Sequence, residues 1–112
     1  MITLTNHIPY ELDQSLASLK LKSSDEGSTF GNYLQTVRYT DEAFGKLIEY
    51  LKENDMYDNT VIAIYGDHQG MNKETPSVRW KMTDFLGKEY DYDEMLNVPF
   101  IIHVPGLMKV RL

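Results

Sequence analysis

Five consecutive apolar residues, Val61-Ile62-Ala63-Ile64-Tyr65, run directly into Gly66-Asp67-His68. No other junction in the chain constrains the fold as much. A β-branched run without polar alternation predicts a strand buried on both faces, the kind that α/β proteins place in parallel sheets. A carboxylate and an imidazole at the end of such a strand stand where open α/β sheets place ligands. Neighbours along a regular strand point to opposite faces, but at a strand-to-loop turn two neighbours converge, and Gly66 permits that turn. Asp67 and His68 then offer a hard oxygen and a borderline nitrogen, a mixture that suits zinc or manganese. Two ligands are too few for a tight site, so the others must come from elsewhere. The plainer reading is that Asp67 caps a following turn.

The flanking pattern is also α/β. Ser28 or Thr29 supplies an N-cap for a long helix, in which Leu34, Val37, Phe44, Leu47, Ile48 and Leu51 recur at helical spacing up to Asn54-Asp55. Such a stripe predicts a helix that covers a sheet. A turn at Tyr57-Asp58-Asn59 leads into a strand from Thr60 to Tyr65, so helix, turn and strand read as half of a βαβ unit. Loop follows from Gln69 to Pro76, then a short helix from Ser77 to Leu86 with Val78, Met82, Phe85 and Leu86 on one face. Lys88 to Asp93 reads as an exposed loop. Val98 to Val104 reads as a second buried strand, parallel to the first or one strand removed, stopped by Pro105-Gly106. Near the start, Ile2-Thr3-Leu4 alternates and predicts a strand ending at about His7, and Pro9 cannot continue a ladder. Glu11 to Gly27 reads as polar loop.

Length and charge narrow the function. The chain has 112 residues, enough for one modest core. Its 17 acidic and 11 basic residues give a formal net charge of −6, which argues against nucleic acid or anionic membrane as a partner. Without cysteine, disulfides, thiolate zinc sites and cysteine nucleophiles are excluded. No apolar stretch reaches the length of a membrane span, and the N-terminus lacks a signal-peptide pattern.

Four segments carry a resemblance. They are Thr3-Leu4-Thr5-Asn6-His7-Ile8-Pro9-Tyr10, Asn32 through Ala43, Tyr57-Asp58-Asn59-Thr60 with the strand and Gly66-Asp67-His68, and Val98-Pro99-Phe100-Ile101-Ile102-His103-Val104-Pro105-Gly106. In order and spacing they resemble the lipoteichoic acid synthase branch of the sulfatase and alkaline phosphatase superfamily, bacterial phosphoglycerol transferases that face the cell exterior. The resemblance runs from about Ile2 to Gly106. It implies a three-layer α/β sandwich with a mainly parallel sheet flanked by helices. It also implies that residues 1–112 form the C-terminal part of a longer catalytic domain, on a protein held at the cell membrane with that domain outside.

What the resemblance implies for chemistry follows residue by residue. Asp67 and His68 match metal ligands, for manganese, or magnesium or zinc. A Glu and a nucleophilic Thr from the preceding half complete that site, and neither is in this chain. The Thr would attack a glycerophosphate lipid and form a covalent phosphodiester. His7 matches a pocket histidine able to donate to phosphate oxygens. Its plainer role is a backbone hydrogen bond at a strand end. His103, between Ile102 and Val104, reads as a packed structural histidine, and Arg38 with Asp41 as a pair one helical turn apart. The lone Trp80 reads as core or interface. Relatives often carry Tyr where Gln69 stands, and a His within the loop that here reads Met71-Asn72-Lys73-Glu74-Thr75. The alternatives are a sulfatase or phosphodiesterase on the same core, or a non-catalytic α/β binding module. An isolated piece of such a domain is expected to be inactive, to hold metal loosely, and to expose apolar surface through which it pairs with its missing N-terminal half or dimerises.

Overall fold

The computed structural model describes residues 2–107. Its order is a 3-10 turn at Gln14–Leu16, helix α1 at Thr29–Glu53, a 3-10 turn at Tyr57–Asn59, strand β1 at Ile62–Tyr65, helix α2 at Pro76–Leu86, helix α3 at Tyr92–Leu96 and strand β2 at Phe100–His103.

Local chemistry explains the helix ends. The Ser28 hydroxyl accepts from the Gly31 amide at the start of α1, and the amide of Asn54 bonds back to Tyr50 and Lys52 carbonyls at its end. Pro76 opens α2, and Gly87, at φ 69°, closes it in the left-handed conformation that glycine adopts without penalty. The Asp91 carboxylate accepts from the Glu94 amide and starts α3, so the segment expected to be exposed loop from Lys88 to Asp93 instead begins a helix. It also buries Tyr90. Two tyrosines in an acidic stretch hid this, because their polar tips suit a surface and their rings suit a core.

The core is formed by Tyr10, Phe30, Met71, Val78, Tyr90 and Met95, with Tyr33, Leu34 and Met82 packed against it. It lies where the first half of α1 meets α2, α3 and the chain after Gly66-Asp67-His68. Gly31 is required there: an added Cβ would stand 1.9 Å from the Asp25 carbonyl oxygen. Beside it the Lys81 ammonium reaches the Asp25 carboxylate at 2.6 Å. Ahead of α1, the Gln35 side chain brackets residue 19, accepting from its amide at 3.0 Å and donating to its carbonyl at 2.6 Å.

The sheet departs from expectation. The expected parallel relation between the two strands is replaced by direct antiparallel pairing, Ile62 opposite His103 and Tyr65 opposite Phe100. The described residues contain one sheet, of two strands, so the three-layer sandwich with a mainly parallel sheet is not formed within them. Strand β1 alternates in burial although its sequence does not, whereas β2 is exposed at Phe100, Ile101 and Ile102 and half-buried at His103. Ala63, Tyr65, Phe100 and Ile102 share one face and are all exposed, Phe100 at 70%. On the other face Ile62, Ile64 and His103 are half-buried, and the His103 ring stacks on Tyr57 at 5.0 Å as a packed histidine does. An apolar run tells that both faces suit a dry environment, not that the covering elements lie in the same 112 residues.

Other expectations meet mixed outcomes. Helix α1 packs on α2 and on the 57–59 turn rather than across the strands. Ile2 and Leu4, each 82% exposed, lie in irregular chain ahead of the His7 turn, with no strand formed there. Trp80 is 69% exposed beside the Arg79 guanidinium, outside the core. Arg38 does pair one turn on, with Asp41 at 3.5 Å and more closely with Glu42 at 3.0 Å. The radius of gyration is 16.4 Å, where a compact domain of about 100 residues has about 13 Å.

Candidate functional site

His7, Asp67 and His68 come from segments some sixty residues apart in sequence and meet at one surface. The rings of His7 and His68 stand 5.7 Å apart, edge to face at 83°. The nearest approach between the neighbouring side chains is Asp67 Oδ1 to His68 Nε2, 3.8 Å. Both are open to solvent, 77% and 50% exposed for Asp67 and His68 respectively.

Each imidazole is set by the carbonyl of the residue after it. His7 Nδ1 lies 2.8 Å from the Ile8 oxygen, and His68 Nδ1 lies 2.7 Å from the Gln69 oxygen. A carbonyl only accepts, so each of these bonds calls for a donating Nδ1 and turns Nε2 away from the carbonyl. This is the arrangement that orients ligating histidines, whose second nitrogen usually donates to a backbone carbonyl or carboxylate. Gln69 supplies its backbone to this bond, so a different side chain at that position leaves it intact.

Gly66 serves the site by its size. Its amide donates to the Pro99 oxygen at 3.1 Å, extending the ladder by one bond. An added Cβ would come within 2.8 Å of Val98 Cβ. The expected reason was backbone freedom at a turn; the observed reason is close approach by β2's leading residues.

The His7 turn is tied down twice. Asn6 Oδ1 accepts from the Thr40 hydroxyl of α1 at 2.6 Å, and the Tyr10 amide donates to the His7 oxygen at 2.8 Å. Tyr10 itself has φ 58°, a left-handed conformation that costs a bulky L-residue about 1–2 kcal/mol. Its ring is 2% exposed, and its hydroxyl donates to the Gly70 oxygen at 2.8 Å. The Tyr90 hydroxyl donates to the next carbonyl, Met71, at 2.7 Å. Burial pushes the phenols of Tyr10, Tyr33 and Tyr90 above their ordinary pKa, and repulsion from Tyr33 adds to it for Tyr10 and Tyr90. Asn6, Thr40 and Tyr10 all lie in the segments that carry the resemblance. The sequence showed them as letters of a pattern; the roles appear only once α1 and the two turns are side by side.

The donor set fits a divalent cation in part. Two ligands about 2.1 Å from a zinc ion in tetrahedral array stand about 3.4 Å apart, close to the 3.8 Å between Asp67 Oδ1 and His68 Nε2. Among the described residues, no group of three or more acidic, histidine or cysteine side chains could hold a metal ion together.

Comparison with known proteins agrees with the resemblance. The sequence profile of the Sulfatase family matches residues 1–111. The chain is 47% identical over 109 residues to lipoteichoic acid synthase 1 of Bacillus subtilis, which covers 95% of the chain and 16% of that protein. It is 38% identical over 106 residues to lipoteichoic acid synthase of Staphylococcus aureus, again over 95% of the chain and 16% of the relative. The crystal structure of the lipoteichoic acid synthase LtaP from Listeria monocytogenes superposes with a TM-score of 0.80 at 23% identity, over 95% of this chain and 26% of that one. The chain thus spans about a sixth of the length of the curated relatives it matches. It belongs to the sulfatase family, and within it its similarity runs to the lipoteichoic acid synthases.

Proposed function

We propose that this chain is the C-terminal part of a metal-dependent phosphoglycerol transferase that builds glycerophosphate polymer or substituents at the bacterial cell surface. The observation that carries the reading is the meeting of His7 with Asp67 and His68, each ring set at Nδ1 by a backbone carbonyl, in a chain so similar to a lipoteichoic acid synthase. Asp67 Oδ1 and His68 Nε2 would hold the cation, manganese first and magnesium or zinc as alternatives, with a Glu and the nucleophilic Thr of the preceding half completing the shell. When bound, such a cation neutralises phosphoryl charge and lowers the pKa of a hydroxyl.

His7 acts on protons and on phosphate. With its Nδ1 proton held by the Ile8 carbonyl, neutral His7 takes a proton at Nε2, and protonated His7 donates from Nε2 to a phosphoryl oxygen or a leaving alkoxide. In the transfer, the Thr oxygen forms a bond to phosphorus, the bond from phosphorus to the lipid alcohol breaks, and that alcohol leaves with a proton. A second alcohol then reverses the exchange on the Thr ester.

The exposed face of Ala63, Tyr65, Phe100 and Ile102 would pack against the preceding half of the same domain. Among the described residues no helix is long and apolar enough to cross a membrane. The test is turnover by the full-length chain of a glycerophosphate lipid beside a sulfate ester, with metal content measured. Glycerophosphate transfer that disappears in Asp67→Asn supports the reading. Turnover of the sulfate ester alone would replace it with a sulfatase, and no turnover of either, with metal absent, with a binding module.

A further inference from the structure

We propose that Tyr10 is a positioning residue that fastens the His7 turn to the Asp67-His68 turn and so sets how far apart the two histidine rings stand. The proposal rests on the reading of His7, Asp67 and His68 as one site, and deepens it by naming what holds that site together. The connection is a chain of hydrogen bonds. The Tyr10 amide donates to the His7 oxygen at 2.8 Å. The Tyr10 hydroxyl donates to the Gly70 oxygen at 2.8 Å, across sixty residues of sequence. Two residues before Gly70, the His68 ring donates to the Gln69 oxygen at 2.7 Å. At the two ends of this path the rings stand 5.7 Å apart.

The surroundings leave the tether no slack. The Tyr10 ring is buried to 2% exposure and meets Tyr33 edge to face at 5.2 Å. The Tyr33 hydroxyl would stand 2.6 Å from a Cβ added at Gly70, so it closes the space on the other side of the same backbone. Tyr10 keeps a left-handed backbone, φ 58°, a conformation that persists where surrounding contacts over-determine it.

Two neighbouring bonds show what is particular to Tyr10. Asn6 to Thr40 ties the His7 turn to α1, and Tyr90 to Met71 ties the chain after His68 to the α2–α3 connection. Neither bond joins one histidine turn to the other. Tyr90 is therefore the matched control, a buried phenol that donates to the adjacent carbonyl without reaching His7.

The test uses the 112-residue chain, isotope-labelled, by NMR. Tyr10→Phe keeps the ring and removes the donor, Gly70→Ala displaces the acceptor, and Tyr90→Phe removes the control bond. The readings are the nuclear Overhauser contact between the His7 and His68 rings, hydrogen exchange of the amide at position 10, and broadening of both rings by added Mn²⁺ alone. We expect Tyr10→Phe and Gly70→Ala to lose the ring contact, while His68 stays broadened. Exchange at position 10 should quicken by about fivefold, the effect of one lost hydrogen bond on local opening. Tyr90→Phe should keep the ring contact. Retention of the ring contact in Tyr10→Phe overturns the proposal, as does its loss in Tyr90→Phe, which would show general loosening. Unfolding of both Tyr10→Phe and Gly70→Ala would make the bond a requirement of the fold and equally overturn it. Broadening of His68 by Mn²⁺ in the unaltered chain would support the metal reading separately, and the ring contact alone decides the tether.

Discussion

At the scale of residues, Asp67, His68 and His7 differ in what their removal would take away. Asp67→Asn keeps shape and deletes charge, and His68→Ala deletes a ring whose Nδ1 faces the Gln69 oxygen. Under the proposed function, each substitution made in the complete protein should lower metal content and turnover together. His7→Ala should leave metal content unchanged and slow turnover by about 10²–10³-fold, the usual effect of deleting one transition-state donor. Elemental analysis beside turnover separates the two patterns. Loss of metal in His7→Ala with retention in the other two would reverse the assignment, and full activity in all three would leave Gly66-Asp67-His68 a purely structural turn.

At the scale of elements, α1 depends on how its first turn is built. The Ser28 hydroxyl both accepts from the Gly31 amide at 3.0 Å and donates to the Asp25 carbonyl at 2.8 Å, so it joins the cap to the loop before it. Ser28→Ala should cost about 1 kcal/mol. Gly31→Ala should cost more, about 2–3 kcal/mol, because the clash at 1.9 Å is with backbone and not with a flexible side chain. Thermal melting of the two variants against the parent chain checks the order. A Gly31→Ala chain as stable as the Ser28→Ala chain would mean that the loop at Asp25 yields freely.

At the scale of the whole molecule, two properties follow from what is buried and what is not. Tyr10, Tyr33 and Tyr90 hold their protons above the ordinary tyrosine value of 10.0, mainly through burial. The folded state then keeps protons that the unfolded chain has released. The stability linked to them is fully present below about pH 10 and is lost as pH rises through the raised folded values. Unfolding followed by circular dichroism should show an alkaline transition, moved to higher pH in Tyr33→Phe; an unmoved transition would assign it to other groups. Separately, Tyr65, Phe100 and Ile102 lie exposed on one sheet face, with 67%, 70% and 54% of their surfaces in water. We predict concentration-dependent self-association of the chain alone, measurable by sedimentation and weakened in Ile102→Lys. A strict monomer at every concentration would show that the face tolerates water.

Local events and the family were legible in the sequence. The helix of α1 was legible to within a residue or two, since capping and periodicity act between residues a few positions apart. So was the strand that ends in Gly66-Asp67-His68, and the four segments carried the family. Residue type offered Asp67 and His68 as candidate donors, and the resemblance added His7. Only the tertiary structure decided which groups face one another. It paired β1 with β2 antiparallel, a matter of register and partner that an apolar run does not encode. It turned the segment around Tyr90 inward, because a tyrosine suits both surface and core until its hydroxyl finds a carbonyl. It also made Tyr10 the bridge to Gly70, a hydrogen bond between residues sixty positions apart that exists only when folding has brought both turns to the same place.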